Sequence, residues 1–209
     1  MVSLMQRRRE MMQTSGGGAV VTLDTIVYEG KSYRDIFMTG NKVQGFDFES
    51  GLPSGMSINS GSPSITTEDA YSGTHSVKAF GTSSQQYKSV KTTGVADWSK
   101  YANKSYFAAF KAKITRYTKG AFGVSTSPFP SGPTAVTNGW KTYHAYNTTS
   151  TGTTNNTSYI GSRSSANLDG YIDDIVLINM TDLFTTIPTS DAILAWYNTY
   201  CDLRKAGQN

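Results

Sequence analysis

Hydrophobic and polar residues alternate over short stretches through most of this chain. Such alternation is typical of strands that bury one face of a sheet. Clusters of Gly, Ser, Thr and Asn separate these stretches and favour turns. We predict strands at 46–49, 64–67, 76–80, 87–92, 104–114, 121–124, 140–146, 159–160 and 171–179. Many short strands joined by turns indicate an all-β, jelly-roll β-sandwich, which we place at residues 43–180.

After residue 180 the spacing of apolar residues changes from the period of a strand to that of a helix. Apolar residues within 193–203 fall on one helical face, which is rich in Trp and Tyr. Thr189 or Ser190 is suited to cap the start of the helix, and Gly207 is suited to end it. We predict a loop and a C-terminal amphipathic helix over 181–209. Its aromatic face packs either on the sandwich or on a partner molecule.

Two further segments precede the predicted sandwich. Residues 1–18 combine methionines with three successive arginines and end in a Gly-Gly-Gly hinge. Methionine adapts to irregular partner surfaces, so we expect an N-terminal anchor arm here, the alternative being a disordered start. The partner-binding residues of this arm are Leu4, Met5, Arg7, Arg8, Arg9, Met11 and Met12. Residues 19–42 predict a short hairpin or a linker that docks on a neighbour.

The composition argues against several functions. The net charge is +4, from 19 basic and 15 acidic residues, and the three arginines of the arm account for most of it. The sandwich is therefore nearly neutral, and we expect no nucleic-acid binding by it. The single cysteine, Cys201, permits no internal disulfide, and two histidines with one cysteine do not suit a zinc site. The chain has no apolar run of about 20 residues and no signal-peptide core, so we expect no membrane insertion and no export by that route.

Catalytic residues do not stand out in the pattern. Asp173 and Asp174 are neighbours on a predicted strand, so we expect their side chains to point to opposite faces and to form no carboxylate pair. His75 and His144 fit surface or turn positions better than the role of a base. We predict no enzyme and no catalytic residue. The alternative is a glycosidase pair assembled across strands, for which the sequence shows no motif.

Aromatic residues supply the chemistry of a binding surface instead. Trp98, Trp140 and Tyr143 lie in or near the predicted strands. Aromatic rings exposed on a sheet can serve as platforms for sugar rings, so these three are our candidates for a glycan-binding surface. The alternative is that they pack in the core or between subunits, where large aromatic side chains dominate the packing energy.

Three motifs give the sandwich a family resemblance. Residues 46–51 (Phe-Asp-Phe-Glu-Ser-Gly), 69–78 (Asp-Ala-Tyr-Ser-Gly-Thr-His-Ser-Val-Lys) and 170–177 (Gly-Tyr-Ile-Asp-Asp-Ile-Val-Leu) follow in this order. Together they resemble jelly-roll carbohydrate-binding modules. The resemblance implies a module that binds glycans of a host surface or of mucus. It also implies a structural calcium ion, with Glu49, Asp174 and Ser72 as candidate ligands, and no other cofactor.

A second resemblance lies at the C-terminal end of the sandwich. Residues 178–184 (Ile-Asn-Met-Thr-Asp-Leu-Phe) are followed by Ile-Pro-Thr at 187–189 and by the aromatic helix. This order resembles the end of bacteriophage fibre and tail proteins, although the Gly-Asn-Glu stretch found there is missing. The resemblance implies a virion structural protein, made in the bacterial cytoplasm, that joins capsid, tail or fibre proteins and forms homo-oligomers. Our first prediction is therefore a head or tail fibre component, and the alternative is a glycan-binding module.

Overall fold

The computed structural model describes residues 20–43, 47–51, 56–58, 64–80, 88–93, 103–120, 122–124, 129–147, 157–162 and 167–208. Strands form most of the regular structure in these ranges. They are β1 (Ile26–Tyr28), β2 (Lys31–Ser32), β3 (Met56–Ile58), β4 (Ser64–Thr66), β5 (Ser76–Phe80), β6 (Lys88–Thr93), β7 (Tyr106–Lys119), β8 (Phe122–Val124), β9 (Lys141–Asn147), β10 (Thr157–Ser162) and β11 (Asn167–Asn179). The helical elements are a π-helix (Asp35–Thr39), α1 (Met180–Leu183) and α2 (Ser190–Lys205).

The main strands form two antiparallel sheets. One sheet has five strands in the order β4-β5-β11-β7-β9, and the other has four in the order β3-β6-β10-β8. From β5 to β11 the chain alternates between the two sheets, as in a jelly roll. The predicted all-β sandwich is thus confirmed. Strand β7 runs to Lys119 and β11 begins at Asn167, so both are longer than the alternation predicts.

The sandwich core lies between the inner faces of the two sheets. Val77, Phe110 and Ile172 of the five-stranded sheet are fully buried, and they belong to one cluster with Phe122 and Ile160 of the four-stranded sheet. Alternate residues of β11 before Ile172 are less buried, which is the period expected of a strand with one face in the core. Burial of this apolar face is what holds the sheets together.

A second cluster covers one end of the outer face of the five-stranded sheet. Phe37 of the π-helix and Tyr197 of α2 pack with Phe107 and Val176 of the sheet, and all four are buried. The helix therefore packs on its own sandwich. Its N-cap is Thr189, whose hydroxyl accepts a hydrogen bond from the Ala192 amide. The hairpin β1-β2 and the π-helix likewise dock on their own chain, because Val27, Tyr28 and Phe37 pack in the same cluster.

The predicted strand at 46–49 is wrong for the part that the structure describes. Phe48 adopts a φ of +59° and Gly51 a φ of +85°, conformations that strands do not use. The Gly51 amide donates a hydrogen bond to the Phe48 carbonyl over 2.9 Å, which closes a turn. The Phe48 side chain is still fully buried in the sandwich core. The apolar pattern correctly marks a core position, but the position belongs to a turn.

A β-bulge changes the face on which the residues of β11 lie. Asp173 pairs with Lys111 and Val176 with Ala109, so β11 has one residue more than β7 in this interval. Asp174 has a φ of +48° there. Both aspartates are buried. The prediction that strand alternation separates Asp173 from Asp174 is wrong, because alternation does not hold across a bulge.

Candidate functional site

The other end of the outer face carries three aromatic side chains that we call the aromatic patch: Tyr71, Trp140 and Tyr171. Tyr171 lies on β11 before the bulge and points away from the core, because its neighbour Ile172 points into it. Trp140 directly precedes β9, and Tyr71 lies in the turn before β5. All three side chains are half-buried. Tyr71 also packs against the edge of the second cluster.

The rings of the aromatic patch form a continuous row. The ring centroids of Tyr71 and Trp140 lie 6.0 Å apart, and those of Trp140 and Tyr171 lie 6.4 Å apart. The planes of Tyr71 and Trp140 are inclined by 72°, an edge-to-face arrangement that aromatic pairs favour, and those of Trp140 and Tyr171 are tilted by 48°. The Trp140 indole Nε1 donates a hydrogen bond to Asp69 Oδ1 over 2.9 Å. This bond holds the central ring of the row in a fixed orientation.

Four charged side chains lie beside the aromatic patch, and we call them the polar rim: Glu68, Asp69, Lys78 and Lys113. Lys113 Nζ donates to Asp69 Oδ2 over 2.6 Å. Glu68 pairs with Lys78 and accepts a hydrogen bond from the Tyr171 hydroxyl over 3.2 Å. The hydrogen bond from Lys78 lowers the pKa of Glu68 below its ordinary value. The rim therefore offers ammonium donors and carboxylate acceptors in balanced number next to the rings.

The Tyr71 side chain is held by Lys111 at the face of its ring and by Asp202 at its hydroxyl group. The buried Lys111 Nζ lies 4.4 Å from the centroid of the Tyr71 ring and donates to Thr142 Oγ1 and Asn198 Oδ1, both over 2.8 Å. The Tyr71 hydroxyl donates to Asp202 Oδ1 over 2.6 Å. Burial, followed by this hydrogen bond to Asp202, raises the pKa of Tyr71. The phenol therefore stays a neutral ring and donor at physiological pH.

The backbone of the same turn is held by Asp173. Its Oδ2 accepts hydrogen bonds from the amides of Tyr71 and Ser72 over 2.8 Å and 3.1 Å. Its Oδ1 accepts from the Asp174 amide over 2.7 Å. Burial and the adjacent Asp174 raise the pKa of Asp173. The bulge thus presents a buried carboxylate that fixes Tyr71 at its edge of the aromatic patch.

Asp174, a predicted calcium ligand, faces a cation supplied by the chain itself. Arg204 Nη1 donates to Asp174 Oδ1 over 2.8 Å, and Arg204 Nη2 lies 3.1 Å from Asp47 Oδ2. The Ser72 hydroxyl donates to the same Asp174 oxygen over 2.7 Å. Burial raises the pKa of Asp174, while the nearby Arg204 lowers it. A guanidinium group therefore lies where this carboxylate would otherwise contact a metal ion.

Glu49, the second predicted ligand, is engaged on the other side of the turn. Its carboxylate accepts from the Thr74 amide, the Thr74 hydroxyl and the His75 amide, each over 2.9 Å. Calcium needs about six to eight oxygen ligands, and the described residues hold no group of three or more His, Cys, Asp or Glu that could bind a metal. These contacts do not fit a calcium site, and calcium binding stays a prediction.

Two of the three predicted glycan-platform residues can be placed. Trp140 is the centre of the aromatic patch. Tyr143 lies on the inner side of β9, where its ring stacks on Phe110 at 5.5 Å and 18°. The predicted platform does not combine Trp140 with Tyr143, because Tyr143 packs against the sandwich core while Trp140 contacts Tyr71 and Tyr171 on the outer face. Trp98 and the arm residues Leu4, Met5, Arg7, Arg8, Arg9, Met11 and Met12 lie outside the described residues.

Sequence reasoning missed Tyr71 and Tyr171. A signal for Tyr171 was present, since it is two residues before Asp173 on the polar side of a strand whose alternate residues are apolar. Tyr71 gave no such signal, because it lies in a turn, where alternation says nothing about direction. Among the described helices, none is long and apolar enough to cross a membrane.

Comparison with known proteins gives distant structural neighbours. No family model and no curated protein matches the chain. A solved structure described as "Family 16 Carbohydrate Binding Module-2" has a TM-score of 0.47 and 19% identity, over 66% of this chain and 99% of that one. TmCBM61 in complex with beta-1,4-galactotriose has a TM-score of 0.42 and 16% identity, over 66% and 98%. The family 22 module of Clostridium thermocellum Xyn10B has a TM-score of 0.44 and 12% identity, over 64% and 89%. These similarities are distant, so we base the function on the side chains of this chain.

Proposed function

We propose that this protein binds a glycan through the aromatic patch and the polar rim. The observation that carries the proposal is the row of Tyr71, Trp140 and Tyr171 on the outer sheet face. The row begins at the edge of helix α2, where Asp202 and Lys205 contact Tyr71, and continues away from the helix to Tyr171. Adjacent rings on one sheet face match successive units of an extended chain. The ligand class that we propose is therefore an oligosaccharide or polysaccharide rather than a single sugar.

The chemistry of a sugar ring suits both parts of this surface. Its C–H groups form apolar faces that pack on aromatic rings, and its hydroxyl groups lie around the edge. Each hydroxyl can donate to one group and accept from another. Glu68 and Asp69 supply acceptors, and Lys78 and Lys113 supply donors, so hydroxyls at the edge of a stacked ring find partners on both sides. Bonds to charged groups of this kind are the stronger ones.

The two carboxylates of the polar rim, Asp69 and Glu68, are engaged by basic partners, and this favours a role in binding over a role in catalysis. Asp69 is held by Lys113 and by the Trp140 indole, and Glu68 is held by Lys78 and Tyr171. A glycosidase needs one carboxyl group that keeps its proton beside one that is ionised. Lys78 lowers the pKa of Glu68, which is the opposite of what a general acid requires. We therefore propose a binding module.

A glycan array followed by affinity measurement tests the proposal. We expect the full chain to retain at least one oligosaccharide, and we expect Trp140→Ala to weaken that binding about tenfold, since it removes the central ring. Trp196→Ala is the matched control. Trp196 lies on helix α2 and packs against Tyr28 and Phe184, away from the aromatic patch. An equal loss in both variants, or no ligand on the array, counts against the proposal.

Attachment to a virion through the N-terminal arm stays a prediction. Residues 1–18 lie outside the described residues, so the prediction rests on their sequence alone, as does homo-oligomer formation. Deleting residues 1–15 should leave a folded sandwich that no longer joins particles. Detection of the deleted protein in purified particles at the normal amount would remove this role and leave glycan binding unaffected.

A further inference from the structure

The charges of the polar rim cancel one another. Lys78 pairs with Glu68, and Lys113 pairs with Asp69. The rim therefore gives the aromatic patch hydrogen-bond donors and acceptors but no preference for a charged ligand over a neutral one. Such a preference depends on the groups that surround Tyr71, at the end of the row next to helix α2.

Two lysines face the Tyr71 ring. The Nζ atoms of Lys111 and Lys205 lie 4.4 Å and 4.9 Å from its centroid. Lys111 is buried and donates to two neutral groups, Thr142 Oγ1 and Asn198 Oδ1. Lys205 is exposed at the C-terminal end of α2, and among the residues that the structure describes it forms no ion pair. Because its stem is long and flexible, Lys205 can turn its ammonium group from the ring to a bound ligand.

The carboxylates near Tyr71 offset these two lysines only in part. Asp202 accepts a hydrogen bond from the Tyr71 hydroxyl and offsets one of them. Asp173 accepts from the Tyr71 amide, but burial and the adjacent Asp174 raise the pKa of Asp173, which lessens its negative charge. Asp174 itself is paired with Arg204. The surroundings of Tyr71 are therefore more positive than the remainder of the aromatic patch.

A sugar unit that carries a carboxylate is complementary to this end of the row. The carboxylate of a uronic acid projects from the edge of the pyranose ring, so the ring can pack on the aromatic side chains while the carboxylate reaches past them. The ammonium group of Lys205 offers three donors and no acceptor. Hydrogen bonds between two charged groups are shorter and stronger than those between neutral ones. A uronic acid therefore gains a contact here that a neutral sugar does not.

Resting on the proposed glycan binding, we propose that the ligand of the aromatic patch is an acidic glycan, with a uronic acid unit at the Tyr71 end of the row. Lys205 is the specificity-determining residue, because its ammonium group pairs with the carboxylate of that unit. The buried Lys111 adds to the attraction, since buried charges are screened little by salt. The rings supply the affinity for the sugar chain, and Lys205 sets the preference for its charge.

Calorimetric titration of the full chain with oligosaccharides that differ in charge tests this preference. The probes are oligomers of galacturonic, glucuronic and mannuronic acid, each with free carboxylates and as the neutral methyl ester. We expect at least one acid form to bind about threefold more tightly than its ester in about 20 mM salt, and the ratio to approach one in about 500 mM salt, since exposed ion pairs are weak and screened. Esters that all bind as tightly as the acids, or a neutral array ligand that binds while no acid form does, would overturn the acidic ligand and leave glycan binding intact. Failure to bind any oligosaccharide would overturn the proposed function as well.

Two lysine variants assign the preference to Lys205. Lys205→Met removes the ammonium group but keeps an unbranched apolar stem, and it should reduce the ratio of acid to ester affinity from about threefold to about one. Lys141→Met is the matched control, because Lys141 is also exposed but lies opposite Ala112 of the sandwich core, on the other side of β9 from the aromatic patch. The control should keep the ratio of wild type. An unchanged ratio in Lys205→Met, or an equal fall in both variants, would overturn the role of Lys205.

Discussion

At the scale of single residues, Glu49 acts as an anchor for the turn that carries Tyr71. Partial burial raises the pKa of Glu49. Hydrogen bonds from His75 and Thr74 together lower it by more, so the pKa lies below the ordinary value. A carboxyl group with a lowered pKa in the folded state stabilises the protein above its unfolded-state pKa. Glu49 should therefore contribute most at neutral pH.

Glu49→Gln tests this contribution. We expect it to lower the free energy of unfolding by about 1–2 kcal/mol at neutral pH, since charge-assisted hydrogen bonds become neutral ones. The difference from wild type should shrink as the pH falls below the ordinary glutamate pKa of about 4.3 and then through the lower pKa of Glu49, because the wild-type carboxylate is then protonated as well. Urea unfolding at several pH values measures it. A difference that does not depend on pH would contradict the anchor role.

Gly73, in the same turn, meets two constraints at once. Its φ is +60°, and a Cβ atom built there would overlap the Glu49 carboxylate. Gly73→Ala should cost about 1–3 kcal/mol, because it combines backbone strain with displacement of the Glu49 carboxylate. Gly51→Ala is the matched control, since Gly51 has a φ of +85° but no atom within 4 Å of such a Cβ. Equal losses in thermal or urea unfolding would show that the Glu49 contact has no effect.

At the scale of elements, the bulge of β11 links the sandwich to the turn that carries Tyr71 and to helix α2. Before the bulge the outward residues are polar or aromatic, and after it they are Val176 and Ile178, which pack under the helix. The extra residue places Asp173 under the aromatic patch and Asp174 against Arg204. One inserted residue thus separates the end of the outer face that lies under the helix from the end that carries the aromatic patch.

Helix α2 is held on this bulge by Arg204 as well as by its apolar face. Arg204→Met should lower the free energy of unfolding by about 3–5 kcal/mol, because it leaves the buried Asp174 without its cation. Lys42→Met, the removal of an exposed cation, should change it by about 0.5 kcal/mol or less. Urea denaturation followed by circular dichroism compares the two. A small loss for Arg204→Met would mean that Asp174 is neutral or otherwise paired.

The same ion pair bears on calcium. If Arg204 supplies the positive charge at Asp174, no metal ion is needed to stabilise this end of the sandwich. We expect thermal unfolding of the full chain to give the same midpoint in excess EDTA and in excess calcium, because a ligand that does not bind the folded state does not stabilise it. A midpoint that rises with calcium concentration would support the calcium site at Glu49, Asp174 and Ser72.

At the scale of the whole molecule, alternation in the sequence predicts the sandwich well, since burial of one sheet face leaves a regular trace. The start of helix α2 is predicted correctly too, because Thr189 and the aromatic spacing are local signals. The aromatic patch is only partly predictable. Tyr71 lies in a turn, where alternation does not give the direction of a side chain. The bulge at Asp174 reverses the faces of the later residues of β11, and only the pairing of the strands reveals that reversal.

The central claim is that the aromatic patch is the glycan-binding surface of this protein. Calorimetric titration of a soluble oligosaccharide that is retained on the array, into wild type and into the double variant Trp140→Ala/Tyr171→Ala, tests it most directly. We predict saturable binding by wild type and none by the double variant, with unchanged near-ultraviolet signals from the remaining core aromatics. Equal affinity of the two proteins for the oligosaccharide would contradict the claim.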